Sequence, residues 1–185
     1  MESTPVPLLR SLIAAAWIAF WLYWLISARG AKRGTRARRA RVPVGAAIVV
    51  SVLFARSLGA SALAVRSTPL RTLGSVVLLS GLALAVWARV HLGRNWGMPM
   101  TRKQEPELVT SGPYRHVRHP IYSGILLAVL GTALATDIVL MVVLVVIGAY
   151  FGYCARVEED WLCASFPGSY PAYRASTKML IPFVL

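Results

Sequence analysis

The chain is poor in acid and poor in charge overall. Seven Asp and Glu stand against twenty Lys and Arg in 185 residues, a net charge of +13. Charged residues make up 15% of the chain and hydrophobic ones 57%, where a soluble domain carries about a quarter charged. With a mean hydropathy of +0.61, this excludes an ordinary soluble domain and points to the bilayer. The positive excess would suit nucleic acid, but the cations are confined to stretches between apolar runs, as in the loops of a membrane protein. No nucleic acid partner is expected. Two cysteines, Cys154 and Cys163, exclude a disulfide framework, and no CxxC spacing offers zinc a site. His116 and His119 have no Cys or third His near them, so no metal is expected. Absence of GxSxG, of a phosphate-binding Gly-rich loop and of GxGxxG after a strand excludes three common catalytic frameworks, Rossmann cofactor binding among them.

What is present is a series of apolar runs, and the predicted fold is an all-α, polytopic membrane bundle forming a single domain over 1–185. Spans are predicted over 8–27, 42–65, 70–92, 120–136 and 138–153, the first three near the roughly 20 residues needed to cross a hydrocarbon core. The first run is long and its basic cluster follows it, unlike a cleaved leader. Trp17, Trp21, Tyr23 and Trp24 crowd its second half, where an aromatic belt would lie. Arg56 falls inside the second span, a costly place unless it faces protein or water or the span ends early at a break over Gly59-Ala60-Ser61. Gly74 and Gly81 share one face of the third and permit close helix contact. Asp137 marks a tight turn between the last two spans. The tail from 156 begins with Val157, Trp161, Leu162 and Phe166 at helical spacing, predicting an interfacial helix that Phe166-Pro167-Gly168 ends.

Charge orients the bundle. Stretch 29–41 holds seven Lys and Arg and no acid, and with segments 93–119 and 154–185 one side carries fifteen cations. The positive-inside rule then puts the N-terminus outside and the C-terminus in the cytoplasm, a parity that five spans satisfy. Anionic lipid headgroups are the expected partner of 29–41. Segments 93–119 and 154–185 are expected to form the cytoplasmic site.

That site is foreshadowed by LVTSGPYRHVRHPIYSG at 108–124. Ser111-Gly112-Pro113 reads as a turn. Pro120 suits the first turn of a helix, whose free N–H groups would face a polar or anionic ligand. In an antiparallel hairpin turning near 136, residue 119 stands about 17 positions up one arm and residue 158 about 21 up the other. The hairpin therefore gathers Tyr114, His116, His119 and Tyr122 opposite Arg156, Glu158 and Glu159, a cluster that reads as a site.

GPYRHVRHPIYSG, a hydrophobic hairpin, and then VEEDWLCASFPGSYPAYRASTKMLIPF together resemble the isoprenylcysteine carboxyl methyltransferase and phospholipid N-methyltransferase superfamily. Members are integral-membrane enzymes that use S-adenosyl-L-methionine without a Rossmann domain. The resemblance covers about 92–185. It implies cofactor contacts at Leu108 and Val109, at Tyr114, His119, Pro120, Ile121 and Tyr122, and at Glu158 for the polar end of the cofactor. The chemistry agrees: a carboxylate can hold the ammonium, helix N–H groups and His119 the carboxylate, and aromatic faces the sulfonium and adenine. Arg156 is the residue expected to meet the methyl acceptor. The family arginine stands about a turn before the Glu pair, whereas here Arg156 is two residues before Glu158 and Cys154 takes the earlier position.

The reaction implied is methyl transfer to a lipophilic acceptor, a small molecule or lipid. An isoprenylcysteine-type carboxylate would need no base. A phospholipid amine must lose a proton, for which Glu159 or His116 is the candidate. Two other readings are a non-catalytic lipid-binding or transport protein of the same fold and a relative of the membrane sterol reductases. The chain is short for the latter and has no nicotinamide signature.

Overall fold

The structure is a computed structural model, and it describes residues 6–32, 34–36 and 64–180. The predicted second span, 42–65, lies outside the described residues except at Ala64 and Val65, as does Arg56. The helices are α1 (Val6–Ala28), α2 (Thr68–Leu92), α3 (Pro120–Ala135), α4 (Met141–Ser165) and α5 (Tyr170–Ser176). Two short strands, β1 (Gly34–Arg36) and β2 (Thr101–Lys103), pair antiparallel with Thr35 opposite Arg102. Among the described residues, stretches 7–28, 68–95 and 138–165 are long and apolar enough to cross a membrane, while α3 is a shorter apolar helix. The architecture is that of a polytopic helical membrane protein.

The tightest contact lies between α2 and α3. Gly74 faces Gly131 and Gly81 faces Gly124, so close that a Cβ on Gly74 would stand 2.7 Å from the Gly131 carbonyl oxygen and one on Gly124 2.7 Å from that of Gly81. Ala128 packs against Gly81 and Ala85 against Gly124, and both alanines are fully buried. Two glycines seven apart on each helix remove the side chains that would hold the backbones apart. Association in lipid rests on this kind of close packing, since lipid tails already satisfy apolar surface. The 70–92 prediction misses only the first two residues of α2, and the glycine pair it noted finds a matching pair on α3.

α1 joins this core through its aromatic half. Trp17 Nε1 donates to Thr132 Oγ1 at 3.1 Å, and Trp24 packs edge-on against Trp96. Arg89, only 4% exposed, ties the ends of α1 and α2. Its guanidinium donates to the carbonyls of Ser27 (2.6 Å) and Gly93 (2.7 Å) and lies 4.6 Å above the Trp96 ring. A buried charge is tolerable only with such partners.

The α3–α4 turn is built as expected around Asp137, whose carboxylate accepts from the Val139 N–H at 3.2 Å and starts a 3₁₀ turn, Ile138–Leu140. The far end of α4 differs from expectation. The fifth span and the interfacial helix are one uninterrupted helix through Ser165. No Gly or Pro occurs between Tyr153 and Phe166, so nothing ends it before Phe166-Pro167-Gly168. The tail also folds back onto the bundle instead of trailing from it. Residues 177–180 run beside 117–119, with the Arg118 N–H donating to the Lys178 carbonyl (2.8 Å) and the His119 N–H to that of Met179 (3.1 Å). The segment 181–183, part of the tail motif, lies outside the described residues.

Candidate active site

Loop 93–109, the turn before α3, the start of α3, the last turns of α4 and α5 close around a cavity of about 190 Å³. Leu108, Val109, Tyr114, His119, Ile121, Tyr122 and Glu158 all line it. Pro120 is buried at the first position of α3 and does not line it.

Glu158 is the one carboxylate of α4 on this wall. Its Oε1 accepts from the Tyr122 hydroxyl and from the Met100 N–H, each at 2.8 Å, and its Oε2 stands 3.6 Å from His119 Nδ1. Met100 meets it with a positive φ of 57°, unusual for a residue with a Cβ. The His119 ring stacks on Tyr122 at 5.4 Å, and Tyr122 in turn on Phe151 at 4.4 Å. The result is a carboxylate held at the edge of a continuous aromatic face.

Glu159 points elsewhere, because successive helical residues are turned about 100° apart. Its side chain is 3% exposed and sits 2.6 Å from Arg118 Nε, 3.3 Å from Arg174 Nε and 3.4 Å from His119 Nε2. It thereby fastens α4 to the α3 mouth and to α5. Arg156 is exposed. Both line a separate polar groove behind the cavity wall. His116 is exposed and lines neither. The structure thus brings together the residues expected at the cofactor and sets those expected at the acceptor on the far side of Arg118, which borders both spaces. Just before the helix mouth, the N–H groups of Arg118 and His119 are taken by the tail carbonyls of Lys178 and Met179.

Several lining residues were not expected at the site from the sequence. Trp96, Asn95, Arg102 and Lys103 come from loop 93–109, and Trp161, Tyr170 and Tyr173 from the tail. The length of the loop and the spacing of the tail aromatics were the available signals. The β1–β2 pairing that shapes the loop left none, since a three-residue strand has no readable alternation. Lys32 completes that clamp: its Nζ donates to Glu107 Oε1 at 2.6 Å, its carbonyl accepts from Lys103 Nζ at 2.6 Å, and Asn95 Nδ2 holds the other Glu107 oxygen at 2.9 Å.

Burial tunes the titratable groups of the wall. It pushes the Lys103 ammonium below its usual range, with Arg89 and Lys32 adding to the effect. It pushes the Tyr114 and Tyr170 phenols upward and brings Tyr173 up to about 12. These hydroxyls stay protonated and act as neutral hydrogen-bonding groups. Tyr173 uses its own to donate to the Tyr114 carbonyl at 2.6 Å. Among the buried polar atoms of lining residues, Asn95 Oδ1 and the Tyr170 hydroxyl have no hydrogen-bond partner among the described residues, and His119 Nε2 has only the Glu159 contact at 3.4 Å. No group of three or more His, Cys, Asp or Glu positioned for a metal occurs among the described residues.

Fold and site together define a helical membrane protein with a polar, aromatic-walled cavity at one end of its bundle. The family model described as phospholipid methyltransferase matches residues 70–168, and the chain belongs to that family. Over 115 residues it is 30% identical to protein-S-isoprenylcysteine O-methyltransferase B of Arabidopsis thaliana, covering 60% of this chain and 58% of that protein. Over 101 residues it is 31% identical to protein-S-isoprenylcysteine O-methyltransferase of Schizosaccharomyces pombe, with 52% and 43% covered. Over 94 residues it is 31% identical to a cobalt-zinc-cadmium resistance protein of Cupriavidus metallidurans, with 49% and 43% covered. The chain spans about half the length of the curated relatives it matches.

Proposed function

We propose that this protein is an integral-membrane methyltransferase that binds S-adenosyl-L-methionine in the cavity and methylates a lipophilic acceptor. The observation that carries the reading is the Glu158 carboxylate, held by Tyr122 and Met100 at the edge of the His119–Tyr122 stack. The donor set fits the cofactor. Glu158 suits its ammonium, Arg102, Lys103 and Arg118 its carboxylate, and the aromatic faces its cationic sulfur and adenine. Asn95 Oδ1 and the Tyr170 hydroxyl offer buried, unused hydrogen-bonding capacity for its hydroxyl or amino groups. Leu108, Val109 and Ile121 supply apolar lining, and buried Pro120 fixes the helix start beside it.

When bound, the cofactor supplies an electrophilic methyl group on a sulfonium. The protein's own task is to align the acceptor and exclude water. We assign Glu159 a positioning role, since it holds Arg118 and His119 from behind the wall. An acceptor that needs no proton removed fits best, because neither candidate base, Glu159 or His116, lines the cavity. The favoured acceptor is therefore a lipophilic carboxylate, as the names of the plant and yeast relatives suggest. The family description keeps a phospholipid amine as the second reading. We further propose an outside N-terminus and a cytoplasmic C-terminus, with the 29–41 stretch resting on anionic headgroups, supported by the distribution of Lys and Arg.

The test is isothermal titration of S-adenosylhomocysteine into detergent-solubilised protein, beside Glu158→Ala and His119→Ala. Micromolar binding in the wild type and at least tenfold loss in both variants is expected. A folded wild type that binds nothing, in detergent and in nanodiscs, would sink the reading. Supplying a prenylated cysteine or a phospholipid amine to the loaded enzyme then separates the two acceptor classes.

A further inference from the structure

Behind the cavity wall lies a second space, a groove of about 620 Å³ lined by α4, α5, residues 177–179 and Arg118. Its charges are unevenly engaged. Arg118 and Arg174 share Glu159. The side chains of Arg156 and Lys178 make no ion pair or hydrogen bond among the described residues. Asp160, the remaining acid of the lining, is exposed and also unpaired among them. Four cations against two acids leave the groove with a surplus of two positive charges.

Depth says what such a groove meets. The apolar part of α4 runs without a charge from Met141 to Tyr153, Tyr153 is exposed, and Arg156 follows within a turn. An exposed tyrosine followed by charge marks the level where hydrocarbon gives way to headgroups. A strongly basic groove at that level lies within reach of lipid phosphates. The Arg118–Glu159–His119 wall separates it from Glu158 and the cavity, so a group seated there is not the one being methylated.

We propose that the groove is a binding site for the phosphate of an anionic membrane lipid, with Arg156 and Lys178 as its principal contacts and Arg118 and Arg174 behind them. The chemistry recognised is a phosphate oxyanion, which a headgroup or a soluble phosphate could each supply. The site does not depend on the methyl-transfer reading.

The experiment measures binding of short-chain phosphatidylglycerol, short-chain phosphatidylcholine and inorganic phosphate to the full chain in neutral detergent. Wild type, Lys178→Gln, Arg156→Gln/Lys178→Gln and Arg38→Gln/Arg39→Gln are compared, the last neutralising part of the other basic stretch. Wild type should prefer phosphatidylglycerol to phosphatidylcholine about tenfold. Lys178→Gln should lose part of that preference and the double groove variant nearly all of it, while the 38/39 variant keeps most. Inorganic phosphate competing as well as the lipid would support the oxyanion site and assign it a soluble ligand. No preference in the wild type would overturn the proposal, as would a preference lost in the 38/39 variant and retained in Lys178→Gln. Lys178→Gln, a single exposed change, keeps the test valid should the double variant misfold.

Discussion

At the scale of single residues, the Glu158 carboxylate organises the cavity and its neighbour Glu159 organises the wall. Replacing Glu158 by Gln keeps the shape and removes the charge. A hydrogen bond to a charged group contributes about 1.5–3 kcal/mol, so affinity for S-adenosylhomocysteine should fall roughly 10- to 100-fold. Tyr122→Phe removes one neutral donor to the same oxygen and should cost less, about fivefold. Calorimetric titration of the two variants side by side checks that order. Tyr173 gives a pH signature. Its phenol sits near 12 when folded against about 10 in an unfolded chain. Between those values the unfolded state has already released the proton, so stability falls as pH rises. This contribution is complete below about pH 10 and lost towards pH 12. Thermal unfolding of Tyr173→Phe should therefore decline less steeply than wild type across that window.

At the scale of elements, the α2–α3 pair rests on glycine facing glycine. A methyl group at Gly131 would fall against the backbone of Leu78 and 2.6 Å from the Gly74 carbonyl oxygen, and neither is a flexible end that can swing aside. Gly131→Ala should destabilise the bundle by about 1–3 kcal/mol, read as a lowered melting temperature in detergent. Gly152→Ala, where a Cβ meets nothing within 4 Å, should leave it nearly unchanged. The elements also show what the sequence could and could not convey. Apolar length located α1, α2 and the two arms of the hairpin, and the turn chemistry of Asp137 located their junction. Hairpin geometry then brought Glu158 to Tyr122 and His119. It could not say which of two adjacent acids faces inward, because that depends on how α4 is rotated against α3. Nor could it show that 177–180 returns to 117–119 or that Lys32 reaches Glu107, since such contacts link residues some sixty or more positions apart and leave no local pattern.

At the scale of the whole molecule, burial separates the two thiols. Cys154 is fully buried and Cys163 is partly exposed. A maleimide mass tag should modify the folded protein once, at Cys163, and a second time at the rate of global opening. Fast double labelling would mean that the last turns of α4 open independently of the bundle.

The return of 177–180 to the mouth of α3 also fixes an order of events. Arg118 and His119 leave the ribosome about sixty residues ahead of the carbonyls that receive their N–H groups. Helices can enter the membrane and pair while that mouth is still open. Tyr170 and Tyr173 join the cavity wall only when the tail arrives, so the part of the protein made late decides when that wall is complete.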